Sequence, residues 1–161
     1  MKKLFLTLLS LIMLLSVIAC GNSEKKDANT AKDRQEKSKS VSGDVIKAEI
    51  PGSWCFVSGT DMNGANGSDF ICHAKKYELG DPYLQVTKDD RSIEKVTEVL
   101  ESEEIFGKYY GSFELNGNTW YIAENAATAL VGENTCLVRG YECDFSSDEV
   151  RSILGTIQWN A

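Results

Sequence analysis

The chain has 161 residues, with 17 Lys and Arg against 24 Asp and Glu, five cysteines and a single histidine. The length sets one folded domain as the expectation. The net charge of −7 speaks against a general nucleic-acid binder, because neutralising phosphates needs a basic face, and one histidine limits the common metal and acid–base constellations.

In chain order, the first twenty residues read as an export signal. Lys2 and Lys3 form a positive start, and no charge follows from Leu4 to Ala19. That run is shorter than the roughly 20 residues needed to span a bilayer core, so it reads as a secretory signal peptide instead of a membrane-spanning helix. Its end, Val17-Ile18-Ala19-Cys20, resembles the lipobox of bacterial lipoproteins. The resemblance implies that residues 1–19 are removed and that Cys20 carries a diacylglyceryl group. The chain would then be membrane-anchored at the extracytoplasmic face of the cell membrane. Residues 20–44 follow as the lipidated N-terminus and a disordered tether. From Gly21 to Asp44 there is no aromatic residue and one branched aliphatic, Val41, too little apolar area to offset the entropy of ordering.

A single α+β globular domain is expected over 45–161, with 9 basic against 19 acidic side chains. Ile46, Ala48 and Ile50 alternate with Lys47 and Glu49 as a half-buried strand that ends at Pro51-Gly52. Trp54 to Val57, Phe70 to Ala74 and Tyr83 to Lys88 read as further strands. Ile93, Val96, Val99 and Leu100 form one face of a helix, capped by Asp90 or Ser92. Asn116-Gly117 is the favoured pair for a two-residue type I′ hairpin, and it sets Phe113 opposite Trp120. Ala126 to Val131 and Thr135 to Cys143 are strands, and Ser146-x-x-Glu149 is a capping box ahead of Val150, Ile153, Leu154 and Ile157. Adjacent strands need hairpins, so the fold class is α+β: a mostly antiparallel β-sheet covered by helices.

Three of these segments resemble bacterial lipoproteins with a PsbP/Mog-like domain. They are the strand entering Pro51-Gly52-Ser53-Trp54, the Asn-Gly hairpin ending in Trp120-Tyr121, and the closing Glu149-Val150-x-x-Ile153-Leu154-x-x-Ile157. The resemblance covers roughly residues 45 to 160 and implies an antiparallel sheet between helices. Members of that family serve unrelated roles, so it implies a fold and not an activity.

With Cys20 assigned to lipidation, Cys55, Cys72, Cys136 and Cys143 remain. An even number in an exported domain reads as two disulfides. Local loops favour Cys55–Cys72 with Cys136–Cys143, provided that Arg139-Gly140 is a tight turn. If Thr135 to Cys143 is one continuous strand, Cys55–Cys136 with Cys72–Cys143, or the third pairing, takes over.

Other constellations are weaker. His73 and Cys72 are neighbours on a strand and point to opposite faces, so they do not form a catalytic pair. Asp61 to Asp69 looks like a calcium loop but has Ala65, Asn66 and Cys72 where such a loop needs a ligand, glycine and glutamate. Glu98, Glu101, Glu103, Glu104 and Asp89-Asp90 are dense acidity that belongs on a solvated face. Trp54, Trp120, Trp159, Tyr109 and Tyr110 divide between core and a binding surface. No catalytic residue, cofactor or metal ligand is assigned. The expected partners are the membrane, through the lipid, and a protein or small molecule; nucleic acid is not among them. The leading function is therefore a lipid-anchored extracytoplasmic binding or interaction module. The alternatives are a small envelope hydrolase using Asp89, Asp90 or Glu104, and an immunity or inhibitor lipoprotein.

Overall fold

The computed structural model describes residues 37–61, 67–75 and 80–160. The chain divides into two units between Arg34 and Gln35, and every described residue lies in the second. The signal segment, Cys20 and the tether up to residue 36 lie outside the described residues.

The strands are β1 Ser38–Ser42, β2 Ile46–Pro51, β3 Cys55–Ser58, β4 Phe70–His73 and β5 Tyr83–Asp89, followed by helix α1 Ile93–Glu101. Then come β6 Tyr109–Leu115, β7 Asn118–Ala123, β8 Ala126–Val131, β9 Asn134–Tyr141, helix α2 Asp148–Thr156 and the short β10 Gln158–Trp159. They build a small sheet, β1-β2-β10, and a large one, β3-β4-β5-β9-β8-β7-β6, with every pair antiparallel. The fold class is α+β and mostly antiparallel sheet.

Side-chain parity divides the large sheet into two unlike faces. Phe70, Val86, Val138, Ala127 and Ile122 fall in one cross-strand row, and all are buried. This face packs on Ile46, Ala48 and Ile50 of β2 and on Val150, Ile153 and Leu154 of α2. The opposite face is covered by α1 only towards β7 and β8, where Val96 and Leu100 meet Ala123, Ala126 and Leu137. Cys55, Val57, Ile71 and Tyr83, on the other strands of that face, are half-buried.

The order begins before residue 45. β1 occupies part of the expected tether and pairs with β2 from Ser38↔Pro51 to Ser42↔Lys47. The polar sequence hides this, because the pairing rests on backbone groups and on one inward side chain, Val41 (8% exposed). The capping box also shifts by one residue. Ser147 caps α2 by accepting from the Val150 N–H at 3.3 Å, while Ser146 is drawn to the Asp144 carboxylate.

The Asn116-Gly117 hairpin has the expected register, Phe113↔Trp120 and Leu115↔Asn118. Both turn residues are left-handed, with φ 49° and 82°, as the type I′ turn requires. The Asn116 Nδ2 donates to the Gly155 carbonyl at 2.7 Å and so ties the turn to α2. A Cβ on Gly117 would meet nothing within 4 Å. Gly117→Ala therefore has a purely conformational cost, expected at about 1 kcal/mol. It should appear as a lower urea midpoint with an unchanged slope.

Candidate functional site

The most chemically distinctive surface lies at one end of the large sheet, where β5 and β8 start and β7 and β9 finish. His73, Tyr83 and Tyr141 are successive cross-strand neighbours on β4, β5 and β9. Their rings form a row, 5.6 Å from His73 to Tyr83 and 5.7 Å from Tyr83 to Tyr141, the last pair stacked at 18°. His73 is buried at the inner end. Burial lowers its pKa and the Asp81 charge opposes this, so at pH 7 the ring is neutral and serves as packing. Tyr141, at the outer end, is 46% exposed.

Beyond Tyr141 the surface sinks into two adjoining hollows of about 480 and 430 Å³ that share Asn125 and Glu142. Tyr83, Tyr141, Phe106 and Arg139 line the first; Tyr110, Glu124, Cys143 and Asp144 line the second. Five large apolar side chains are exposed among the described residues, and three of them, Ile105, Tyr110 and Tyr141, rim this groove. Such a concentration marks an interaction surface more than scattered exposure does.

Local backbone devices put these groups there. A bulge between Tyr109 and Gly111 leaves Tyr110 out of the β6–β7 ladder and turns it outward. Several bonds hold the loop carrying Ile105 and Phe106, three of them short. The Asn125 N–H donates to the Phe106 carbonyl at 3.0 Å, the Glu124 N–H to the Lys108 carbonyl at 2.9 Å, and the Tyr109 N–H to the Glu103 carboxylate at 2.9 Å. Glu142 stands at φ 52°, a conformation that non-glycine residues hold only when the surroundings enforce it.

The groove is acidic as well as aromatic. Glu124, Glu142 and Asp144 have no ion-pair partner among the described residues, whose one salt bridge joins Arg91 to Asp89. Lys108 sits over the Tyr110 ring, 5.9 Å from its centroid, so the rim already holds one cation on an aromatic face. The Arg139 Nε is buried without a hydrogen-bond partner among the described residues. A larger cleft of about 540 Å³ lies between β2, the hairpin turn and α2. Two of its polar side chains are already used: Asn116 bonds Gly155, and Thr156 Oγ1 accepts from the Glu49 N–H at 2.9 Å.

The residues singled out in the sequence are dispersed. Cys55 is opposite His73 and Cys72 opposite Phe56, so Cys55 and Cys72 point to opposite faces and do not bond locally. β9 runs unbroken from Asn134 to Tyr141, which separates Cys136 from Cys143 along the chain. Both favoured pairings are thus corrected, and so is Cys55–Cys136, whose members occupy opposite faces of non-adjacent strands. No disulfide joins these four cysteines in this structure. Cys20 lies outside the described residues.

Asp89 is bound by Arg91 at 2.7 Å, and that hydrogen bond holds its carboxyl below the usual range despite partial burial. Asp90 and Glu104 are exposed. The two carboxylates at the ends of the calcium-like loop have separate partners. Asp61 accepts from the Ser58 hydroxyl at 2.8 Å, and Asp69 accepts from the Val45 and Ile46 N–H groups at 2.8 Å each. Trp120 and Trp54 are core, Trp159 is half-buried with its indole N–H on the Val131 carbonyl, and Tyr110 is the exposed member of its pair. Of these candidates, only Tyr110, Cys143 and His73 belong to the groove or its ring row. Tyr83, Phe106 and the pair Arg139 and Tyr141 come from three separate segments. Their faint signal was the apolar pair Ile105-Phe106, stranded outside both helix and strand patterns. No protein-family model and no curated protein sequence matches this chain.

Proposed function

We propose that the chain is a lipoprotein anchored through Cys20 at the extracytoplasmic face of the cell membrane. We further propose that its folded unit is a non-catalytic binding module, PsbP/Mog-like in architecture, that takes a basic segment of a partner protein in the aromatic groove. Val17-Ile18-Ala19-Cys20 and the uncharged run before it support the anchor. A broad antiparallel sheet with a helix packed on each face supports the architecture.

The observation that carries the binding role is the coincidence in one groove of exposed rings and acids that form no salt bridge among the described residues, Tyr110 and Tyr141 beside Glu124, Glu142 and Asp144. Aromatic faces attract cations by about 0.5–1 kcal/mol each at exposed sites. From residue 45 onward 19 acids face 9 bases, a field that draws a cationic partner and repels an acidic one. The carboxylates weighed for a hydrolase, Asp89 and Asp90, line a separate hollow. An inhibitor of a secreted toxin is the special case in which the basic segment belongs to the toxin.

Titration calorimetry with a short lysine- and arginine-rich peptide tests the groove. Tyr141→Ala combined with Glu142→Gln should weaken binding about tenfold or more, a loss of about 1.4 kcal/mol. Leu130→Ala, exposed away from the groove, should leave binding unchanged. Equal weakening by all variants, or equal binding of an acidic peptide, would reject the reading. Cys20→Ala should release the chain from the membrane fraction and remove the lipid mass from the intact protein.

A further inference from the structure

Arg139 is a cation that the rest of the described structure leaves unpaired. It is half-buried and lines the first hollow beside Tyr83, Tyr141 and Phe106. It forms no salt bridge among the described residues; Asp89, an acid on the neighbouring β5, is bound instead by Arg91 at 2.7 Å. The Arg139 Nε is buried with no hydrogen-bond partner among those residues. A buried donor left unpaired is costly, more so on a charged group, and calls for a partner.

The other polar groups of the hollow leave an anion to Arg139. The Gln85 amide nitrogen already donates to the Ser68 hydroxyl oxygen. The Asn125 backbone is used at both ends, its N–H on the Phe106 carbonyl at 3.0 Å and its carbonyl taking the Gly140 N–H at 2.9 Å. The charge therefore reverses along the groove. The second hollow has Glu124, Glu142 and Asp144 and neither Lys nor Arg among its lining residues. The first has Arg139, with Glu142 and Asn125 shared between the two.

The groove is also open at one end and closed at the other. Arg139 is opposite Gln85 across β9 and β5. Gln85 is 8% exposed, and His73 on the next strand is 4% exposed. Tyr110 and Tyr141, at the other end, are open to solvent.

We propose that the groove takes the C-terminal end of its basic segment. The free α-carboxylate is bound by the Arg139 guanidinium in the first hollow, and the basic side chains just before it lie among Glu124, Glu142 and Asp144 in the second. This rests on the reading of the groove as a site for a basic segment, and adds where that segment ends and which way it runs. A chain that stops at Arg139 needs only the open entrance, whereas one that continued would meet the buried Gln85. The planar guanidinium fork matches a carboxylate with two parallel N–H donors, and capture of a chain end by its carboxylate is a recurring mode of peptide recognition. A single negative charge also suits a hollow bordered by Glu142, where the second charge of a phosphate group would be repelled.

The test is titration calorimetry on the full chain in detergent, with two peptides of one sequence, Gly-Gly-Lys-Arg-Lys, ending in a free carboxylate or in a carboxamide. The general field, 19 acids against 9 bases from residue 45 onward, favours the carboxamide, which carries one positive charge more. Tighter binding of the acid therefore reports a local cation. The acid should bind about tenfold more tightly than the carboxamide, and Arg139→Gln should erase that preference by weakening the acid alone. Arg139→Lys keeps the charge without the fork and should retain part of it. If both peptides bind and the carboxamide binds as tightly or more so, the C-terminal proposal is overturned and the basic groove stands. An acid preference that survives Arg139→Gln would overturn it too, as would a carboxamide peptide with aspartate in the last place that binds as tightly as the acid. Binding of neither peptide would overturn both readings. The two peptides are compared on the unaltered chain, so a folding defect in the Arg139 variants leaves that result decisive.

Discussion

Replacing Trp120 with alanine is expected to lower the stability of the folded unit by about 3–5 kcal/mol. Trp120 has no exposed surface and is the largest fully buried side chain. Its neighbours across the sheet are Phe113 on β6 and Ala129 on β7's other side, on β8. On that face β8 contributes small residues, Ala127 and Ala129, where a large ring next door needs room. Truncating the indole removes its transfer free energy and leaves a cavity that backbone-limited alanines cannot fill. Domains of this size are stable by about 5–15 kcal/mol, so the variant should lose about a fifth or more of that margin. The indole N–H has no hydrogen-bond partner among the described residues. Trp120→Phe removes that donor along with some volume and should cost less than half as much. Urea unfolding followed by far-ultraviolet circular dichroism gives both values. A loss below about 1 kcal/mol for the alanine variant would show that this part of the core is packed otherwise.

The second large effect is expected at Asp69. Its carboxylate is 7% exposed and accepts from two adjacent backbone N–H groups, Val45 and Ile46, each at 2.8 Å. Asp69 precedes β4 of the large sheet, and Ile46 opens β2 of the small one, so this carboxylate ties one sheet to the other. Gly43 gives it room, since a Cβ there would lie 2.2 Å from Oδ2. Hydrogen bonds to a charged acceptor contribute about 1.5–3 kcal/mol each. Asp69→Ala removes both and leaves two donors stranded, for an expected loss of about 3–5 kcal/mol. Asp69→Asn keeps one acceptor oxygen and should cost about 2 kcal/mol. Hydrogen exchange should show the Val45 and Ile46 amides opening about a hundredfold more readily in the alanine variant. Unchanged protection of those two amides would sink the bridging role.

These two residues mark what a sequence can and cannot disclose here. Trp120 was placed in the core from the hairpin alone, because Asn116-Gly117 fixes the register within a few residues and parity does the rest. The strands from β2 to β9, both helices and the α+β class follow from the same local signals. Asp69 was legible only as a failed calcium loop, because its partners lie 23 and 24 residues earlier. The cysteine pairing failed for a related reason. Which face Cys55 and Cys72 occupy depends on how the chain between β3 and β4 sets their register, and a one-residue slip reverses the answer. The groove is less legible still. Tyr83 and Tyr141 meet because β9 lies beside β5, a neighbour relation between strands far apart in the chain. β1 escaped notice because backbone pairing leaves almost no trace in side-chain hydrophobicity.

The bulge in β6 also matters for how copies of the molecule treat one another. Among the described residues, the large sheet ends in two unpaired edges, β3 and β6. An open edge is a template on which an identical chain can add its own strand and begin an aggregate. β3 offers only four residues. β6 is longer, but the step between Tyr109 and Gly111 breaks its ladder, and Gly111 stands at φ 104°. The irregularity that aims Tyr110 at the groove thus denies a second copy a straight, continuous row of donors and acceptors. One displaced residue in a strand so doubles as protection against self-polymerisation.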